Sequence, residues 1–208
     1  MTVKERMLLE SKAWVAEKLS LDKDYFEHLK KMPTPNILWI GSSDNLISIR
    51  EVTNTEPGEI IVHRNIGAQV KTDDMSLMAT IEHAIQVSKV QYIIVCGYSN
   101  CSGVKEVIQG AEERTYIHQW LDELFEIYDT HPGEFELLTD VEKEMRLCEM
   151  SIKAQILKLS TLDLVQKAWK RGSSPELLGW YLDETSGIIK EIFSMSAKQT
   201  LKQVGSVV

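Results

Sequence analysis

The chain has 208 residues, 43% hydrophobic and 26% charged, with a formal net charge of -8. That is enough apolar mass for one well-buried domain, and it excludes a disordered chain. The acidic balance offers no basic field to a phosphate backbone or an anionic bilayer, which excludes nucleic acid and membrane surfaces as expected partners. Charges run through MTVKERMLLESKAWVAEKLS, so it reads as neither signal peptide nor membrane span, and a cytoplasmic location is expected. Three cysteines, Cys96, Cys101 and Cys148, are an odd set in such a compartment and predict no disulfide framework.

In chain order, Met7, Leu8, Trp14, Val15 and Leu19 have near-helical spacing and predict a helix over 3–19. LDKDYFEHLKK predicts a second, short helix stopped by Pro33 and Pro35. With few internal partners for Trp14, residues 1–32 are expected to form a helical arm that packs on a partner subunit. NILWIG (36–41) reads as a buried strand and EIIVHRN (59–65) as another, after the turn signal Pro57-Gly58. The segment 74–88 puts Leu77, Ile81, Ala84, Ile85 and Ser88 on one helical face, with acidic residues at its start. QYIIVCG (91–97) is a third strand. Residues from about 112 to 171 read as helices broken at HPGEF (131–135), and 175–193 as two strands around Ser186-Gly187. Apolar strands separated by helices predict an α/β fold, a mostly parallel β-sheet with crossover helices, in a single domain over 1–208. Sites in such sheets form at the carboxyl ends of strands.

Those ends carry GSSDNL (41–46) and GYSNCSG (97–103). Together with PGEIIVHRNIGAQV (57–70), DYFEHL, VQKAWKRG (165–172), and Trp180 with Gly187 seven residues on, they resemble the β-class carbonic anhydrases nearly end to end. The resemblance implies that fold and a dimeric or tetrameric assembly. In that family zinc is held by the Cys of Cys-x-Asp-x-Arg and by His-x-x-Cys, the Arg pairing with the Asp. Here the three ligand positions read Ser42, Tyr98 and Cys101, the Asp is kept as Asp44, and its Arg partner is replaced by Leu46. A neutral hydroxyl and a phenol are poor ligands for a borderline-soft cation. Losing a thiolate and an imidazole removes most of the roughly 10 kcal/mol or more that a structural zinc site supplies. Without a guanidinium, Asp44 is expected to have a raised pKa and to need a new partner. Tyr98 is the expected donor, filling the emptied metal site. Two further departures are Pro33, where the family has a Gln lining the pocket, and Ser102-Gly103, where it has Gly-Gly.

Cys101 has two readings: a leftover small hydrophobe at a helix start, which is favoured, or a thiolate activated by the helix N-terminus. Trp39 and Arg64 match two of three residues of a regulatory bicarbonate site found in some family members. The third position is Leu182, and the nearby Tyr181 falls on the opposite strand face unless the strand bulges. Trp39 is otherwise core, and Arg64 a structural ion-pair partner.

The sequence therefore leads to a β-carbonic anhydrase relative without zinc or any other cofactor, inactive in CO2 hydration. Its expected role is binding, assembly or regulation, as a homodimer or tetramer or with an active carbonic anhydrase paralogue. Two alternatives stand beside it. One is residual hydration activity, either metal-free with Asp44 as base or with weakly held zinc; the other is a bicarbonate sensor built on Trp39 and Arg64.

Overall fold

A computed structural model of the chain describes residues 1–110, 115–172 and 174–198. It forms two compact units, Met1–Thr34 and Pro35–Val208. The first ends within two residues of the expected arm. It holds helix α1 (Val3–Leu21), started by a reciprocal capping box between Thr2 and Glu5, and helix α2 (Tyr25–Lys30). Trp14 is not short of internal partners: its ring meets those of Tyr25 and Phe26 edge-on at 6.1 and 6.0 Å. Met7, Leu8 and Leu9 are exposed within the single chain.

The second unit is built on a five-stranded sheet of order β2-β1-β3-β4-β5. Strands β1 (Ile37–Ser42), β2 (Ile60–Asn65), β3 (Tyr92–Tyr98) and β4 (Glu176–Asp183) are mutually parallel, and β5 (Ile188–Met195) returns antiparallel after Gly187, whose φ of 71° suits the turn. The sheet is thus mostly parallel, as the alternation of strands and helices predicts. Central β1 and β3 are buried nearly throughout, which is why they read as continuous apolar runs rather than alternating ones.

One face of the sheet, with Leu38, Ile40, Ile93, Val95 and Leu177, packs against three helices: α4 (Met75–Glu82) through Leu77 and Ile81, the long α8 (Asp140–Thr161) through Ile156 and Leu159, and α9 (Asp163–Arg171) through Val165 and Trp169. Asp74 caps α4, its Oδ1 accepting from the Ser76 and Leu77 backbone N–H groups. The helix expected over 74–88 is α-helical only to Glu82. It then widens into a π-helical turn, His83–Ser88, and ends at Lys89 in the left-handed conformation. Two elements are shorter or newer than the sequence suggested: α2, and a five-residue helix α3 (Ile49–Thr53) with no clear apolar period.

Helices α5 (Ser102–Gln109), α6 (Tyr116–Trp120) and α7 (Asp122–Thr130) precede the break at 131–135, a 3-10 turn over Pro132–Glu134. The start of the expected helical stretch, 112–114, lies outside the described residues. Among the described residues, no helix is long and apolar enough to cross a membrane.

Candidate functional site

Strands β1 and β3 each end one residue later than their sequence pattern indicates, which makes Ser42 the last residue of β1 and Tyr98 the last of β3. Because β1 lies between β2 and β3, Ser42 stands beside Asn65 in the register and near the start of α5, whose N-cap is Cys101. The carboxyl ends of the neighbouring strands β1 and β3 therefore bring Ser42, Asp44, Tyr98 and Cys101 together.

Asp44 is the centre of the cluster. Its Oδ1 accepts from Ser42 Oγ at 2.5 Å, while Oδ2 accepts from the Ser102 backbone N–H at 3.0 Å and, at close range, from the Ser102 hydroxyl. Cys101 offers α5 no side-chain cap. Asp44 takes that part from another loop, its carboxylate set against the positive end of the helix. Burial pushes the Asp44 pKa up, but the Ser102 and Ser42 hydroxyls, the Tyr98 phenol and the Ser102 N–H outweigh it and hold the carboxyl at about 2. This corrects the expectation of a raised pKa: hydroxyls and an amide supply the stabilisation that the sequence argument required of a guanidinium. Tyr98 is among the donors, as expected, but contributes less than either serine.

Ser42 is buried and fully engaged, donating to Asp44 and accepting from the Gly67 N–H at 3.0 Å. Gly67 belongs to a 3-10 turn, Ile66–Ala68, after β2. Its φ of 73° and the place of the Leu121 Cδ2, 3.0 Å from where a Cβ would lie, both call for glycine. A buried amide network fixes that turn. Gln69 Nε2 donates to the Gly67 carbonyl at 2.8 Å, Gln155 Nε2 donates to Gln69 Oε1 at 3.2 Å, and Gln155 Oε1 accepts from the Val70 N–H at 2.7 Å.

Tyr98 is 3% exposed, and its phenol is pushed well above the ordinary range, first by burial and then by the Asp44 carboxylate that it faces. Burial likewise raises the Cys101 thiol, against lowering by the Val104 N–H. That supports the small-hydrophobe reading of Cys101 over an activated thiolate. Cys96, mid-strand, is pushed up to about 12 by burial. Behind Ser42 and Cys101 lies a void of ≈ 10 Å³, bounded also by Gly67, Cys148 and Ser151. It has room for about one water. Among the described residues, no group of three or more His, Cys, Asp or Glu side chains converges in a way that could hold a metal ion.

Leu46 does not join the cluster. Its side chain is 89% exposed, and only its N–H is engaged, with Glu184 Oε1 at 3.4 Å. Trp39 and Arg64 share a sheet face, because Gly41 pairs with Arg64 and Trp39 with Val62. Arg64 donates to the Asn45 carbonyl at 3.3 Å, and Trp39 is core, edge-on to Trp180 at 5.9 Å and lying over Gly41. Tyr181 pairs with Gly97 and Leu182 with Tyr98, so Tyr181 looks to the α8 face, as strand alternation predicts. The irregularity at Gly179/Trp180 affects only the pairing with β5 and leaves the β3 register continuous.

Ser102 and Gln69 are the functional neighbours that the sequence argument misses. Ser102 carried a signal, a hydroxyl where the family has glycine, but nothing local tied it to Asp44. Gln69 carried none.

A parallel sheet of this order, with its cluster at the strand ends where β-class carbonic anhydrases bind metal, defines the fold of that class. The family model described as carbonic anhydrase matches residues 37–189, and the chain belongs to the β-class of that family. It is 30% identical over 189 residues to a carbonic anhydrase of Emericella nidulans, covering 90% of this chain and 82% of that one. It is 25% identical over 187 residues to one of Saccharomyces cerevisiae, covering 86% and 84%. Among solved structures it resembles a β-carbonic anhydrase of Sordaria macrospora, described as tetrameric, with a TM-score of 0.86 and 29% identity over 92% of this chain and 98% of that one. A β-carbonic anhydrase of Aspergillus fumigatus gives a TM-score of 0.83 and 27% identity, covering 91% and 90%.

Proposed function

We propose that this chain is a β-carbonic anhydrase homologue that holds no zinc and does not hydrate CO2, and that it acts through binding, assembly or regulation. The observation that carries this reading is the hydroxyl clamp on Asp44. Ser42, which takes a ligand's position, spends its proton on the Asp44 carboxylate, and Tyr98, which takes another, is a buried phenol held far from ionisation. Cys101 is left as a single soft donor with its thiol raised by burial. This donor set does not fit Zn²⁺, which requires thiolate, imidazole or carboxylate donors in a tetrahedron.

A metal-free route with Asp44 as base has the opposite difficulty. A carboxyl held at about 2 is a weak base at neutral pH, and an unassisted water keeps its high pKa. A bicarbonate site on Trp39 and Arg64 lacks its third member, since Tyr181 lies across the sheet. The fold and the tetrameric Sordaria macrospora relative support a homo-oligomer; in this reading the arm 1–32 makes a contact between subunits and an active paralogue is a candidate second partner.

Metal analysis of the purified full chain, paired with stopped-flow CO2 hydration, tests the reading. The expected result is substoichiometric zinc and a rate equal to the uncatalysed one. One zinc per chain with fast turnover overturns it, as does activity that survives chelation and is lost in Asp44→Asn.

A further inference from the structure

We infer that the cleft between the π-helical turn His83–Ser88 and α9 is a binding site for a small organic phosphate with a short aliphatic portion. The cleft measures ≈ 590 Å³, within the range of small-molecule sites. Ile85, Leu164 and Ala168 supply its apolar surface, and Lys89, Lys167 and Arg171 supply three cations. Among the described residues, no carboxylate lines it, on a chain whose net charge is -8. Lys167 is shared with Asp163 at 3.5 Å, a surface pair of little worth. Among the described residues, Lys89 and Arg171 have no ion-pair partner.

Cations in the last turn of α9 answer the helix dipole, which accounts for Arg171 by itself. It does not account for Lys89. That residue follows the π-helical turn with φ 55° and ψ 47°, a left-handed conformation that glycine or asparagine adopts at the lowest cost. A charged, β-carbon-bearing residue occupies that position, and it lines the cleft. π-helical turns within helices concentrate at functional sites, and local backbone strain does the same.

The chemistry of the lining selects the ligand. The planar Arg171 guanidinium matches a phosphate through two parallel hydrogen bonds, and two ammonium groups complete the neutralisation of a dianion. A monocarboxylate would leave most of the positive charge unanswered. Among the described residues the floor is aliphatic with no aromatic ring, so it accepts a short alkyl portion and offers nothing for a base to stack on. Lys89 precedes β3 and Ser174 precedes β4, which places the cleft at the amino ends of the strands, away from Asp44 at the carboxyl ends. The inference is therefore independent of whether the Asp44 cluster holds metal.

Isothermal titration of the full chain at about 0.15 M ionic strength, where exposed charge is already screened, provides the test. The probes are monobutyl phosphate, inorganic phosphate and triglutamate. Monobutyl phosphate is expected to bind saturably at one site per chain and more tightly than inorganic phosphate. Arg171→Gln and Lys89→Gly are each expected to weaken it about tenfold or more, the loss of a charged hydrogen bond. Lys89→Gly relieves the left-handed backbone, so its melting temperature is expected to hold or rise, separating lost binding from unfolding. Lys190→Gln, on β5, is expected to bind as the natural chain does. Absence of saturable binding at this ionic strength, unchanged affinity in both cleft variants, or preference for triglutamate overturns the inference.

Discussion

Asp44 stays ionised without a guanidinium because its two oxygens are divided between two serine hydroxyls and one helix N–H, three donors aimed at a half-buried acceptor. The causes of its low pKa rank Ser102 above Ser42 above Tyr98. Ser102→Ala is therefore expected to raise the Asp44 pKa more than Tyr98→Phe does, as read by carboxyl-carbon NMR titration. A larger rise in Tyr98→Phe would return Tyr98 to the chief role. The same shift sets an acid dependence. Asp44 titrates at about 2 in the folded chain against 3.8 ordinarily, so the unfolded chain binds more protons between those values. The stability that Asp44 contributes is complete above about pH 4 and is lost as pH falls through about 2. Acid-unfolding curves of Ser102→Ala are expected to lose part of that dependence. Curves that superimpose on those of the natural chain after normalisation would contradict this account.

At the scale of elements, the site is held by close approaches between the sheet and α8. A Cβ at Gly97 would fall 2.4 Å from Cys148 Sγ and 3.0 Å from Ile152 Cδ1, so β3 and α8 touch where β3 has no side chain. Gly97→Ala is expected to destabilise the chain by about 1–3 kcal/mol through overpacking. Cys148→Ala removes the nearest atom and is expected to restore part of that loss. Equilibrium urea unfolding of the two single variants and the double variant reads the coupling, and strict additivity would show that the contact is not the cause. These approaches also explain what was legible. Strands β1 and β3 and helix α4 follow from apolar runs and periodicity, which are local. The short α3, the switch from α to π geometry at His83, and the place of Gln155 against Val70 depend on neighbours far along the chain.

For the whole molecule, the β-carbonic anhydrase fold is present, and the proposed function places the difference from an active family member in a few side chains around Asp44 rather than in packing. Placing Ser42→Cys, Leu46→Arg and Tyr98→His together is expected to give a chain that binds one zinc and hydrates CO2, measured by metal analysis and stopped flow. A well-folded triple variant that takes up no zinc would mean that the change extends beyond these positions. Ser102 is the first place to look, since its hydroxyl would still hold Asp44.

The sequence by itself determined most of the succession of strands and helices, the family, and which residue types stand at 42, 44, 98 and 101, because hydrophobic period and residue chemistry are properties of the chain read locally. Tertiary structure alone decided which groups answer Asp44, since Ser102 lies 58 positions away and meets it only when β1 and β3 align. It also settled that Tyr181 faces α8, because the face of a side chain depends on a register fixed by the neighbouring strand.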